Sequence, residues 1–440
     1  MNTLSKAGVA VAVAAALTGC SAQALPEVDP AAVTGEVVPR QVTWLLSRPA
    51  DGQVISTFRT IADEYAAQHP GFSLELITTP DRPSYLQKLI TLATAGELPD
   101  FFDSDGTPYL DRLRDQGRLV DAEAILEGAG VLDDYRPLAL DYQRFSDGGL
   151  YLLPFEFDAE LFFYNEDAFT RAGLEPPTTL DEMVSMCGPL RDAGVTPIAL
   201  DGIDQWPLER YLSYYPFRET GNEYLSELAA GSARLGDETG LRAATWISDL
   251  AAAGCFADGA SSATYTDARD LFTTGRAGVY NVGTWELGSL TGPDLGADMR
   301  DNIGYFTLPT AQDAVTGPDD FVVGSGIGMA VNAATYDPLV KDFLEFALQR
   351  YPEMYAETGR FSPTSDVTPT APDGSTALYD EIREQLDDLG DTTALPWDTR
   401  LDPASNTRLQ QELTLLGQGD VTPEEFARAV DGVLEQRAGS

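Results

Sequence analysis

The chain has 440 residues, with 28 lysines and arginines against 70 aspartates and glutamates, for a formal charge of −42. Such a surface repels phosphate backbones and anionic headgroups, which argues against nucleic acid as a partner. His69, the lone histidine, falls in the turn sequence Gln68-His69-Pro70-Gly71 and no His or Cys cluster occurs elsewhere, which argues strongly against a zinc site or a histidine-dependent triad, and no metal or cofactor is expected.

At the start of the chain, Lys6 precedes an apolar run at residues 7–17 that ends Leu17-Thr18-Gly19-Cys20. The run is too short for a permanent membrane span, and small residues before a cysteine suit a lipoprotein signal peptidase. Residues 1–19 therefore read as a lipoprotein signal peptide. Cys20 becomes the lipidated N-terminus that holds the protein at the outer face of the membrane. An ordinary secretory signal is the alternative. Residues 20–39, with Pro26, Pro30, Gly35 and Pro39, read as a flexible tether.

The folded body starts near Arg40. A strand at residues 41–46 leads to an amphipathic helix at 54–68, on which Ile55, Phe58, Ile61, Ala62 and Tyr65 recur at helical spacing. His69 falls in the turn that follows. A strand at 72–77, a helix at 85–95 and a strand at Phe101-Phe102 continue the alternation, which implies a parallel, doubly wound sheet. The same grammar restarts beyond Pro154, with strands at 161–164, 277–281 and 303–308 and helices at 180–193 and 241–252. This is too much chain for one core, so two α/β lobes are expected. A ligand would then sit in the cleft between them, beyond the carboxyl ends of the strands. Cys187 and Cys255 remain after signal removal, in a compartment where disulfides persist; they read as a disulfide, with two buried thiols as the alternative.

Several blocks resemble the family 1 extracellular solute-binding proteins of ABC-type sugar importers, the family of maltodextrin-binding protein. They are Tyr85-Leu86-Gln87-Lys88-Leu89, Ala95-Gly96-Glu97-Leu98-Pro99-Asp100, Tyr151-Leu152-Leu153-Pro154, Phe163-Tyr164-Asn165-Glu166, Phe272-Thr273-Thr274-Gly275-Arg276, Gly283-Thr284-Trp285 and Thr358-Gly359-Arg360. The resemblance implies a two-lobed periplasmic-binding-protein fold of type II with three inter-lobe crossings, near residues 156–160, 307–310 and 360–365. Lobe 1 would comprise residues 40–156 and 310–359, and lobe 2 residues 157–309 and 360–440. It also implies a monomer that binds a carbohydrate and presents it to membrane permease subunits.

A sugar offers apolar C–H faces and a rim of hydroxyls, so its site needs flat aromatic rings beside carboxylate, amide or guanidinium groups. Trp285 follows a strand, and the resemblance assigns the family's stacking aromatic there. Trp206 is a second stacking candidate, and Trp397 a third that packing in its own lobe would equally explain. Asp103, Ser104 and Asp105 leave the strand at Phe101-Phe102 and could hold hydroxyls or cap a turn. Asp158 matches a cleft carboxylate of the family in its spacing to Tyr164, with Glu156 and Glu160 alternating beside it. Ser325, in a Gly-Ser-Gly run, Trp44 and Arg48 at the exit of the first strand, and Arg360, whose place at a crossing would equally suit a structural ion pair, complete the set. No residue is assigned a catalytic role. A lipid-anchored glycoside hydrolase, or a binding protein for a non-sugar solute, is the competing reading.

Overall fold

Nine strands divide between two sheets in the computed structural model, which describes residues 28–48, 50–79, 82–145, 147–386, 389 and 392–438. The signal peptide, Cys20 and the first residues of the tether lie outside the described residues. The strands are β1 (Gln41–Leu45), β2 (Ser73–Ile77), β3 (Phe101–Ser104), β4 (Asp158–Asn165), β5 (Thr196–Ala199), β6 (Ala277–Gly283), β7 (Ile303–Phe306), β8 (Val323–Gly324) and β9 (Gly328–Val331).

The first sheet has the order β2-β1-β3-β9 and the second β5-β6-β4-β7, with β8 pairing the start of β4. Neither is wholly parallel. In the first, β1 runs parallel to β2 and β3, while β9 lies antiparallel to β3, with Phe101 opposite Val331 and Ser104 opposite Gly328. In the second, β5 and β6 are parallel and β4 opposes β6, β7 and β8. The strand–helix alternation accounts for the parallel pairs. The antiparallel strands enter from across the molecule, where no strand–helix–strand crossover fixes direction.

β3, β6 and β9 are buried along their whole length rather than at alternate residues, as expected of strands covered on both faces. The first lobe closes on Trp44, Phe58, Phe101, Phe155 and Tyr351, with Phe58 and Phe155 ring centroids 4.7 Å apart at 83°. The second closes on Leu161, Phe163, Leu190, Ile198, Trp246 and Val279. Each such side chain contributes about 1.5–3 kcal/mol on burial, which makes these clusters the main stabilising element of each lobe. Cys187 and Cys255 are joined by a disulfide within the second lobe, their Cα atoms 5.1 Å apart.

The backbone passes between lobes at three places. Phe155 packs in the first core and Phe157 in the second, which puts one crossing at Glu156. A second lies at residues 324–327, and this corrects the expectation of 307–310. Residues 310–324 stay on the second lobe because Thr310 bridges to Thr179, β8 pairs with β4, and the buried Arg218 guanidinium donates to the carbonyls of Leu308, Pro309 and Gly317. The third falls between Tyr355 of the first core and Phe361 of the second, whose carbonyl accepts from the Phe157 N–H at 3.0 Å.

The tether needs a second correction. From residue 28 onward the chain lies against the first lobe: Asp29 caps a 3-10 turn at Pro30–Ala32, Val28, Val33 and Val37 pack on the core, and Lys341 Nζ donates to the carbonyls of Pro30 and Val33 at 3.1 and 3.3 Å. Pro30, one of the prolines that suggested a linker, instead opens this docked turn. Among the described residues no helix is long and apolar enough to cross a membrane.

Candidate functional site

Side chains at alternate positions along a strand share one face, so Asp158 and Glu160 of β4 point the same way. With Glu156 just before the strand, they form a row of three carboxylates between the lobes. Each meets an arginine from a different part of the chain. Glu156 lies 3.4 Å from Arg48 and 3.6 Å from Arg360, Asp158 lies 3.3 Å from Arg360, and Glu160 lies 3.0 Å from Arg210. Arg210 also reaches Asp398 at 2.7 Å, and Thr284 donates its hydroxyl to Asp158 at 2.7 Å.

Burial governs the electrostatics of this row. It pushes the Glu156 carboxyl up from its ordinary value of 4.5 to about 7, against the pull of Arg48 and Arg360 and with the help of Asp158 and Asp103. Glu160 is also raised, by burial first, with Arg210 opposing.

Beside the row stands an aromatic wall. β6 ends at Gly283 and the 3-10 turn Thr284–Glu286 folds the Trp285 indole back over it; a Cβ at residue 283 would lie 2.0 Å from that ring, so only glycine admits it. Trp285 Nε1 donates to the Tyr265 hydroxyl at 2.8 Å, which donates in turn to Glu286 at 2.8 Å, fixing the ring. Trp206, at the start of the helix Trp206–Thr220, meets Trp285 edge to face at 6.2 Å and 67°. One helical turn on, the Arg210 guanidinium lies 5.2 Å from the Trp206 ring. Both indoles are half-buried. Flat apolar rings next to fixed cations and carboxylates can take a ligand that has both C–H faces and hydroxyls.

The expected site residues thus separate. Trp285 and Trp206 come together, as do Asp158 and Arg360, whose guanidinium also donates to the Trp285 carbonyl at 3.1 Å. Arg48 belongs to the row through Glu156. Asp103 is wholly buried, and its carboxylate accepts from Trp44 Nε1 at 3.0 Å, the Ser47 N–H at 2.8 Å and Arg48 Nε at 3.1 Å, which makes it a structural acceptor inside the first lobe. Trp44, equally buried, is part of the first core. Ser104 is buried and donates to the Asp105 carbonyl at 3.1 Å, while the buried Asp105 carboxylate neighbours the Tyr142 hydroxyl. Ser325 is also removed from the surface, since it donates to the Ala139 carbonyl at 2.8 Å and accepts from Gln143 at 3.0 Å. Trp397 is 2% exposed and packs against Tyr224 in its own lobe. The polar groups of Asp103 and Ser325 are satisfied by partners 55 or more residues away in sequence, contacts that only the fold assembles.

Arg210, Thr284, Tyr265 and Asp398 were not foreseen. Arg210 had a signal, because it stands four residues after Trp206 on the same helix face. Asp398 and Tyr265 had none, since only the tertiary fold brings them in. Among the described residues no group of three His, Cys, Asp or Glu side chains is arranged to hold a metal ion.

A family model described as bacterial extracellular solute-binding protein matches residues 51–350. The chain belongs to this family. An uncharacterized ABC transporter extracellular-binding protein of Pyrococcus horikoshii is 24% identical over 327 residues, covering 71% of this chain and 72% of its own. The multiple sugar-binding protein of Streptococcus mutans is 22% identical over 305 residues, 64% of each chain. Among solved structures, a chitin oligosaccharide binding protein superposes with a TM-score of 0.79 at 22% identity, over 91% of this chain and 99% of that one. The two-lobed α/β fold is that of the family, and membership makes the chain a solute-binding protein rather than a hydrolase.

Proposed function

We propose that the protein captures a mono- or oligosaccharide outside the cytoplasm and delivers it to the permease of an ABC-type importer. The Trp206–Trp285 pair carries this reading: two half-buried indoles at strand and helix ends, set beside Arg210 and Arg360, present stacking faces and hydrogen-bonding groups together. Arg360 and Arg210 hold the carboxylate row in place, so Asp158 acts on the ligand mainly by orienting Arg360. The relative named for multiple sugars and the structural neighbour named for chitin oligosaccharides support the ligand class.

A thermal-shift screen of mono- and oligosaccharides tests this, followed by calorimetry on Trp285→Ala, Trp206→Ala and Asp158→Ala. Each substitution should weaken the best ligand by about 1–3 kcal/mol while both lobes stay folded. Stabilisation by peptides or polyamines, with every carbohydrate silent, would overturn the ligand class. The anchor is the second half of the proposal: detergent partitioning should hold the wild type and release Cys20→Ala, and equal partitioning of both would refute it.

A further inference from the structure

The second lobe holds another concavity, away from the carboxylate row. It has a volume of about 260 Å3 and is bounded by the loop after β5, the 3-10 turn Ala260–Ser262 and the helices Glu238–Ala252 and Pro403–Gln418. Its polar lining is Gln205, Ser261, Gln410, Thr414 and Gln418, with Asp258 as the one carboxylate; no lysine or arginine lines it. Leu208, Phe256 and Leu413 supply its apolar surface.

The volume is many times the 10–15 Å3 or so that a single water requires, and just under the roughly 300 Å3 at which small-molecule pockets begin. One ring fits that space better than an oligomer. Amides and hydroxyls each donate and accept, which suits a ligand hydroxyl that does both. A phosphate or carboxylate would find no cation here and would meet a chain of charge −42. A divalent cation would find a single carboxylate, too few anionic oxygens to replace its hydration shell.

The loop that separates this cavity from the aromatic wall carries an independent signal. Gln205 has φ +64°, a conformation that non-glycine residues rarely adopt, and one of two such residues among those described. It is held there by its neighbours: the Asp201 carboxylate accepts from the N–H groups of Ile203 and Asp204 at 3.1 and 3.2 Å, and the Trp206 N–H donates to the Asp204 carbonyl at 2.7 Å. Backbone strain of this kind gathers at ligand clamps. Its result is that consecutive residues serve different sites, Trp206 meeting Trp285 and Gln205 lining the cavity with a side-chain amide that has no hydrogen-bond partner among the described residues.

We propose that this cavity is a second binding site, separate from the aromatic pair, for a single neutral polyhydroxylated ring. The choice of ligand class rests on the carbohydrate reading of the protein; the position of the site does not.

Ligand-observed saturation-transfer NMR on the mature protein tests it, with D-glucose, D-xylose and N-acetylglucosamine as probes and inorganic phosphate as competitor. At least one sugar should still bind Trp285→Ala. That residual binding should weaken tenfold or more when Thr414→Trp fills the cavity, and likewise in Gln205→Gly, which accepts the positive φ without strain and keeps the test usable if the tryptophan disrupts packing. Absence of residual binding in Trp285→Ala overturns the inference, as does residual binding untouched by both cavity variants or displaced by phosphate. Sugar binding that is wholly abolished by Trp285→Ala sinks this site and leaves the proposed function standing; residual binding at the cavity with none at the aromatic pair does the reverse.

Discussion

Glu156 is where the electrostatics of the two lobes meet. Arg48 reaches it from the first lobe and Arg360 from the third crossing, while Asp158, Asp103 and the rings of Tyr351 and Tyr355 complete its surroundings. Burial raises its folded-state value to about 7 from an ordinary 4.5. Between those values the folded protein holds a proton that the unfolded chain has released, so stability falls as pH rises. The contribution is complete below pH 4.5 and lost as pH passes through about 7, to a limit of about 3 kcal/mol. Urea denaturation across that window should show wild-type stability declining more steeply than that of Glu156→Gln, whose neutral amide removes the linkage. Parallel profiles would show that Glu156 does not stay protonated in the fold. The carboxylate row itself was legible in the sequence, since alternation along a strand is a local property. Arg48 and Arg360 could be named as candidates, but their pairing with the row could not be read, nor Arg210 at all, because they reach these carboxylates from segments 50 or more residues away.

At the scale of elements, the parallel pairs β1–β2 and β5–β6 follow from apolar strands alternating with amphipathic helices, which a sequence displays directly. β9 does not. Its four buried residues come back to pair with β3 from more than 200 positions away, and a short apolar run carries no mark of its partner. The second crossing was expected at 307–310 from the resemblance alone, whereas Arg218 ties the Pro309 carbonyl to the second lobe at 3.0 Å. Cys187 and Cys255 join the start of the helix Cys187–Asp192 to the segment after the helix Glu238–Ala252, across a sequence separation of 68. Closing a loop of that length stabilises by roughly 4 kcal/mol in the chain-entropy account. Cys187→Ala with Cys255→Ala should therefore lower the urea midpoint markedly while leaving the first lobe's transition in place. A double variant as stable as the oxidised wild type would show that the packing of the second lobe makes the bond redundant.

At the scale of the whole molecule, the lobes are connected by more than backbone. Arg48 donates to the Ile327 carbonyl, and Arg400 donates to the carbonyls of Tyr142 and Arg144 at 2.8 and 3.0 Å, so strands of chain from both lobes lie side by side where they cross. Two-lobed binding proteins act by hinge closure around the ligand, and the affinity observed is the intrinsic one scaled by the fraction of molecules able to close. Gly326 is the position at which this fraction is open to manipulation. It sits in the second crossing at φ +60°, and a Cβ there would lie 2.5 Å from the Glu156 carboxylate of the first crossing. Gly326→Ala strains the crossing without touching either core, and a tenfold drop in the closable fraction would weaken ligand binding tenfold, or about 1.4 kcal/mol. Small-angle scattering should then show the wild type contracting on ligand addition and the variant contracting only at correspondingly higher concentrations. Wild-type affinity together with wild-type contraction in Gly326→Ala would mean that the second crossing does not set the closure equilibrium, and that the bend resides in residues 357–361 instead.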